Sequence, residues 1–521
     1  MHTPPPSQPQ LVADRRRGTR AALAVVALLT LWILGWPAAA TSAIGAITGA
    51  IVDTAGWLVL LFATALLVLG SLIVVSPAGR LRLGPPEATP EFSLLSWLAM
   101  LFAAGMGSGL VFWGVAEPLT HSQTLAAGAV STTGAEATAM AITWFHWGLH
   151  AWAIYALAAL AIAWFHTRRG LPETPSASIA AGWRGWLPGP LCHALGRAAD
   201  LVGVAAVIFG VAGALANSII LLQAGIDSAI GWTASSMGLQ LALLALLAAA
   251  FTGSAATGIG GGIRWLSNLN LATALALMLA LLVLGNPAAV AALGVEALGT
   301  WLAAMPDWSL APIRMHAADA PATDDWAGDW TITYLVWWIA WTPFVGLFIA
   351  RISRGRTLRT FLLGAILVPT LVSMLWFAVL GGGALAYDAA EGELLRASLA
   401  EHYTRPLFLW LDALPSGNLL AWLVCALLFI FMVTSADSAC FVLGMLSSGR
   451  TQPDLTSKLG WGLLLTALTA GLLLRNDVDV NKAVAIIGAL PFTLFLLLQV
   501  VALVRALLGR QHGERAPAAS T

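Results

Sequence analysis

The sequence predicts an all-α protein that threads a membrane twelve times. Three observations predict it. The 521 residues are 59% hydrophobic and only 10% charged, against roughly 25% charged in soluble domains. Twelve apolar runs match the length a helix needs to cross hydrocarbon, about 20 residues. The lysines and arginines gather on one side of those runs. Net charge is zero and no basic domain suggests nucleic acid. The cysteines, Cys192, Cys425 and Cys440, have neither disulfide nor metal spacing.

The runs lie near 20–37, 50–77, 92–115, 136–166, 198–226, 238–258, 262–285, 331–350, 360–383, 418–446, 458–475 and 481–507. An even count puts both termini on one side of the bilayer. Of the 25 basic residues, 20 fall on that side, and Arg314, Arg396, Arg405, Arg475 and Lys482 fall opposite. The positive-inside rule then makes the termini cytoplasmic. Arg15–Arg17 and Arg20 before the apolar stretch 21–36, followed by "PAAATSA", also have the form of a signal peptide. The topology works only if that stretch is retained. The tail "MHTPPPSQPQ" reads as disordered. The long outer segments are 286–330 and 384–417, and "AALGVEALGTWLAAM" (291–305) reads as an amphipathic helix on the outer surface.

Four stretches inside the spans carry chemistry. In "FAAGMGSGLVFWGVAEP" (102–118), Gly105, Gly107 and Gly109 alternate in mid-span. They fit close helix packing, a glycine-rich composition, or an unwound segment whose bare backbone lines a cavity. In "WFHWGLHAWAIY" (144–155), 100° per residue puts Trp147, Trp152 and Tyr155 on one side of a helix. His146 and His150 are spaced i,i+4, but no acid or third histidine accompanies them in sequence, so interhelix hydrogen bonding is expected over metal binding. "VWWIAW" (336–341) places Trp337, Trp338 and Trp341 on one broad face. In "VTSADSA" (433–439), Thr434, Ser435, Asp437 and Ser438 offer hard oxygen ligands for a small cation, or bond back to their own helix. Glu117 is the other acid within a span, near its outer end.

Aromatic faces attract quaternary ammonium groups by about 2 kcal/mol or more per desolvated contact. Four rings would supply roughly 8 kcal/mol gross, near micromolar before losses. Neither aromatic cluster contains an acid in sequence. A zwitterion is therefore expected, with its carboxylate near the backbone N–H groups of the glycine stretch.

"GMGSGLVFWGVAEPLTH", "FHWGLHAWAIYALAALAIAW", "WWIAWTPFVGLFIARISRGRT" and "VTSADSA" closely resemble motifs of the betaine/carnitine/choline transporter family, over about 90–500. The resemblance implies helices 3–7 and 8–12 as a LeuT-type 5+5 inverted repeat behind two N-terminal helices. The divisions are then 1–19 (tail), 20–90 (helices 1–2), 91–285 (first repeat), 286–330 (periplasmic segment), 331–508 (second repeat) and 509–521 (tail). It implies a substrate box of Trp147, Trp152, Tyr155 and Trp338, with Trp341 at a neighbouring position and Trp337 beside the path. It implies sodium held by the Ala103 and Met106 carbonyls with the Thr434 and Ser435 hydroxyls.

Sodium-coupled betaine members usually have glycine where this chain has Gly109, and proton-coupled choline members have aspartate. Ser108 replaces an aliphatic residue; it either donates to a carboxylate or widens the pocket. Val207 and Val211 stand where some members place a two-threonine second sodium site, and they offer no oxygen. Osmosensing members carry a long charged C-terminal extension, so the short tail argues against tail-mediated activation.

The expectation is a bacterial inner-membrane symporter, not an enzyme, importing glycine betaine with sodium and needing no cofactor. Its partners are a zwitterion, sodium and the lipid bilayer. A homotrimer is common in the family, though nothing in this chain shows one. The rivals are a sodium-independent exchanger, a carrier of carnitine, dimethylsulfoniopropionate, ectoine or choline, and, remotely, a membrane enzyme using His146 and His150.

Overall fold

A computed structural model describes residues 22–33, 35–105, 107–127, 132–231, 236–257, 262–311, 327–475 and 478–511. Among them there is no strand, only isolated bridges, so the protein is all-α, as the hydropathy demands. Among the described residues, ten helices are long and apolar enough to cross a membrane.

The helices run α1 (Ala22–Ile33), α2 (Pro37–Val75), α3 (Leu94–Gly105), α4 (Ser108–Ala127), α5 (Thr132–Trp147), α6 (Leu149–Arg169), α7 (Pro175–Gly182), α8 (Gly189–Ile230) and α9 (Met237–Thr257). They continue as α10 (Gly262–Leu284), α11 (Pro287–Leu310), α12 (Thr333–Ile352), α13 (Leu358–Ala390), α14 (Leu394–Leu399), α15 (Arg405–Ala413), α16 (Gly417–Ser448), α17 (Leu455–Arg475) and α18 (Val478–Gln511). A π-turn, Gly328–Ile332, leads into α12.

Helix falls within each of the twelve expected runs, but not each run is one membrane-length helix: the runs 92–115 and 136–166 are divided, and Ala22–Ile33 in the first run is short. The run 92–115 divides where α3 ends at Gly105 and α4 begins at Ser108. The run 136–166 divides at Gly148, whose φ of −105° and ψ of −136° fall outside helical values. The one-helix projection used for Trp147, Trp152 and Tyr155 therefore does not apply across 147–152. The segment 291–305, expected as a surface helix, lies in α11, which packs on α5 and α13 and is itself one of the ten helices long and apolar enough to cross a membrane. The 39 residues of α2 span about 58 Å at 1.5 Å per residue, nearly twice the hydrocarbon thickness.

The interior lies on α6 and α8, about nine-tenths buried, with α12 close behind; α2, α9 and α11 show most of their surface. Leu58, Leu72, Leu246, Val295 and Leu302 are each half exposed or more there. A water-soluble protein would not show such faces, but a bilayer covers them. α12 packs on α6, and α18 and α16 pack on α8. Asn481 of α18 donates to Asn217 of α8 at 2.6 Å, pinning that contact with a buried polar bond.

One end of the bundle is fastened by the "SRGRT" loop, 353–357. The Gly355 N–H donates to the Leu83 carbonyl at 2.7 Å, and the Leu83 N–H to the Arg356 carbonyl at 2.9 Å. The Arg356 guanidinium donates to the Phe92 carbonyl at 2.8 Å and lies 4.1 Å from the Trp97 ring centre. Gly355 has φ +81°, and a Cβ there would overlap the Thr89 carbonyl. Gly355→Ala is therefore expected to cost about 2–4 kcal/mol from left-handed strain and overlap. Thermal unfolding in detergent checks this, and an unchanged melting temperature would contradict it.

Candidate functional site

The break between α3 and α4 opens onto a central cavity of about 60 Å³. One water needs roughly 10–15 Å³, so the space suits a compact ligand. Gly107, Ser108 and Gly109 line one wall. Ser108 and Gly109 open α4, and the first N–H groups of a helix have no acceptor within it. Gly109 also makes room, since a Cβ there would sit 3.3 Å from the Trp147 ring. The Ser108 hydroxyl shares a hydrogen bond with Ser218 of α8. Gly105 ends α3.

The rest of the lining is largely aromatic and includes Trp147, Tyr155, Trp337, Trp338 and Trp341. The Trp338 ring lies 5.4 Å from Trp147, 5.1 Å from Tyr155 and 6.1 Å from Trp152, centre to centre. Trp152 is fully buried and touches the cavity only through Trp338 and Tyr155. The Trp338 N–H donates at 3.0 Å to the His146 carbonyl, near the end of α5. Trp341 sits one turn further on, against Phe344, and its buried N–H has no hydrogen-bond partner among the described residues.

Three wall features escaped the sequence reading. Trp113 and Tyr334 also line the cavity. Glu117 supports it from behind and is fully buried. Its carboxylate accepts from the Trp147 N–H at 2.8 Å and the Tyr334 hydroxyl at 2.6 Å. His146 Nδ1 lies 2.7 Å away, and His121 Nε2 at 3.4 Å. The expectation that no acid accompanies the aromatic clusters, or His146, is thereby corrected. Separation along the chain hid a partner that folding supplies.

The ligating atoms of Glu117, His121 and His146 lie within 4.8 Å of one another. Glu117 is already a hydrogen-bond acceptor for two cavity-lining rings, Trp147 and Tyr334, and His146 Nε2 meets the Thr331 hydroxyl at 2.9 Å. The cluster is thus a hydrogen-bonded hub. His150 is not part of it; its ring packs 4.6 Å from Phe145.

The polar stretch on α16 splits in two. The Ser435 hydroxyl lies 3.9 Å from the Cβ position of Gly107, so it faces the α3–α4 break. The Thr434 hydroxyl is 3.0 Å from the carbonyls of Ile430 and Phe431, bonding back to its helix while its lone pairs remain to accept. Ala103 lies on α3, and Met106 lies outside the described residues. Asp437 instead accepts from Ser254 at 2.6 Å, beside a separate cavity of about 220 Å³ with Ser438, Arg351 and Lys458. Val207 and Val211 are buried hydrocarbon.

A family model described as BCCT, betaine/carnitine/choline family transporter, matches residues 19–512. A glycine betaine transporter of Bacillus subtilis (strain 168) is 37% identical over 93% of both chains. An ectoine/hydroxyectoine transporter of Virgibacillus pantothenticus is 35% identical over 87% of this chain and 88% of its own. A high-affinity choline transport protein of Escherichia coli (strain K12) is 35% identical, over 87% and 66%.

Proposed function

The chain belongs to the betaine/carnitine/choline family of transporters, and from that premise we propose that it imports glycine betaine, or a similarly compact zwitterion, with sodium. The observation that carries this reading is the small cavity lined both by aromatic rings and by the residues of a helix break. The trimethylammonium group sits against Trp147, Tyr155 and Trp338, with Trp152 backing them. The carboxylate turns to the N–H groups of Ser108 and Gly109, or to the Trp341 N–H. A cavity of about 60 Å³ favours this over the longer carnitine.

Sodium is the second substrate. Ser435 beside Gly107 supports a site at the break, completed by Thr434 and the carbonyls of Ala103 and Met106. With valines at 207 and 211, one sodium per cycle is the expected coupling. At 100 mV one charge is worth about 2.3 kcal/mol, and a tenfold sodium gradient about 1.4. One ion would then sustain roughly 500-fold accumulation of a zwitterion. The two five-helix repeats, a bacterial inner-membrane location and cytoplasmic termini belong to the same reading. The basic residues, 20 against 5, support the orientation.

Uptake of labelled glycine betaine in a transport-deficient host tests it. Uptake should need external sodium, with a flux ratio near one, and excess ectoine, choline or carnitine should compete poorly. Sodium-independent uptake or counterflow would replace symport by exchange.

A further inference from the structure

Lys482 lies near the start of α18, only 8% exposed. Its ammonium nitrogen is 4.6 Å from the Trp113 ring centre, 4.7 Å from Trp330 and 5.4 Å from Tyr403. The rings come from α4, from the π-turn before α12, and from the stretch between α14 and α15. Several aromatic faces around one cation is how proteins hold quaternary ammonium groups. Here the chain fills such a cage with its own side chain.

The cage sits between two spaces. Lys482, Trp330 and Tyr403 line an outer cavity of about 490 Å³, whose wall also carries Asp53 and Asp329. Trp113 lines the central cavity. Its ring is 5.6 Å from both Trp330 and Tyr403 and 6.2 Å from Tyr334. One indole therefore belongs both to the lysine cage and to the inner wall. Lys482 is among the five basic residues assigned to the face opposite the termini, where an imported solute enters.

We propose that Lys482 is a tethered stand-in for the transported cation, closing an outer aromatic cage that the substrate's quaternary ammonium must take over to pass Trp113. The exchange has a physical direction. A lysine ammonium has three N–H donors and is strongly hydrated. A quaternary ammonium has none, so it gives up less on entering a ring-lined site. The displaced ammonium moves into the outer cavity, toward water and the Asp53 carboxylate on its wall. The inference rests on the quaternary-ammonium reading above.

The chain has only two lysines, Lys458 and Lys482, which makes the native protein its own assay. Lys458, beside the other cavity, donates to the Ala255 carbonyl and serves as the internal standard. Purified full-length protein is treated with a water-soluble acetylating ester, and modification is mapped by peptide mass. Tetramethylammonium chloride should accelerate acetylation of Lys482 severalfold over equimolar sodium chloride, relative to Lys458. An unchanged or slower relative rate would overturn the proposal.

Lys482→Met and Lys482→Arg give a second reading. Tetramethylammonium should add a saturable tryptophan-fluorescence phase in Lys482→Met that Lys482→Arg lacks. That phase should persist when Trp338→Ala is added. A Lys482→Met titration identical to the native one would also overturn the proposal. Failure of the central-site reading looks different: glycine betaine would give no Trp338-dependent phase while the outer phase stayed intact.

Discussion

Glu117→Ala is expected to lose most of the folded, ligand-competent protein. The carboxylate accepts from the Trp147 N–H and the Tyr334 hydroxyl in a site with no exposure. Removing it strands two buried donors, at about 1–3 kcal/mol each. It also breaks the contact with His146, and loss of one partner in such a buried cluster costs about 3–5 kcal/mol. Trp147 then loses the bond that fixes its ring against Gly109. Glu117→Gln keeps the shape and one acceptor oxygen, so it should retain folded protein with affinity lowered about tenfold or more. Chromatographic yield and betaine-induced fluorescence change separate the two variants. Native behaviour of Glu117→Ala would show that the carboxylate only fills space.

Trp338→Ala comes next in size. The ring contacts Trp147, Trp152 and Tyr155 at once, and its N–H holds the His146 carbonyl. A buried Trp→Ala change costs about 3–5 kcal/mol in stability. Losing one desolvated cation–π contact of about 2 kcal/mol costs roughly 30-fold in affinity. Trp338→Phe keeps a ring face without the N–H and should fall between. Trp341→Ala should cost less, because Trp341 touches none of the other three box rings. If Trp338→Ala expressed well and bound glycine betaine normally, the cation would have to sit elsewhere.

The helices were legible because hydropathy over some 20 residues is a strong, local signal. The aromatic residues were legible for a related reason, since several indoles within five residues stand out. Gly148 was not, because one glycine among 51 does not advertise a break. Glu117 was misread because its partners are 29 residues away at His146 and 217 away at Tyr334. No local pattern reports such a meeting. A weaker signal did exist: Trp113 precedes Glu117 by four residues, and Tyr334 precedes Trp338 by four. One helical turn puts each pair on one face. The lysine cage had no signal at all, since it draws on four elements far apart in the chain, from Trp113 to Lys482.

Gly148 gives the aromatic box a seam. Trp147 ends one rigid rod and Trp152 belongs to the next, so the two walls are not fixed to a common axis. Because the backbone ladder is already interrupted between them, tilting one rod against the other sacrifices little helical hydrogen bonding. Rings set on one unbroken helix would keep a fixed relation to one another. Here the fixed relation ends at Gly148, where one helix gives way to the next.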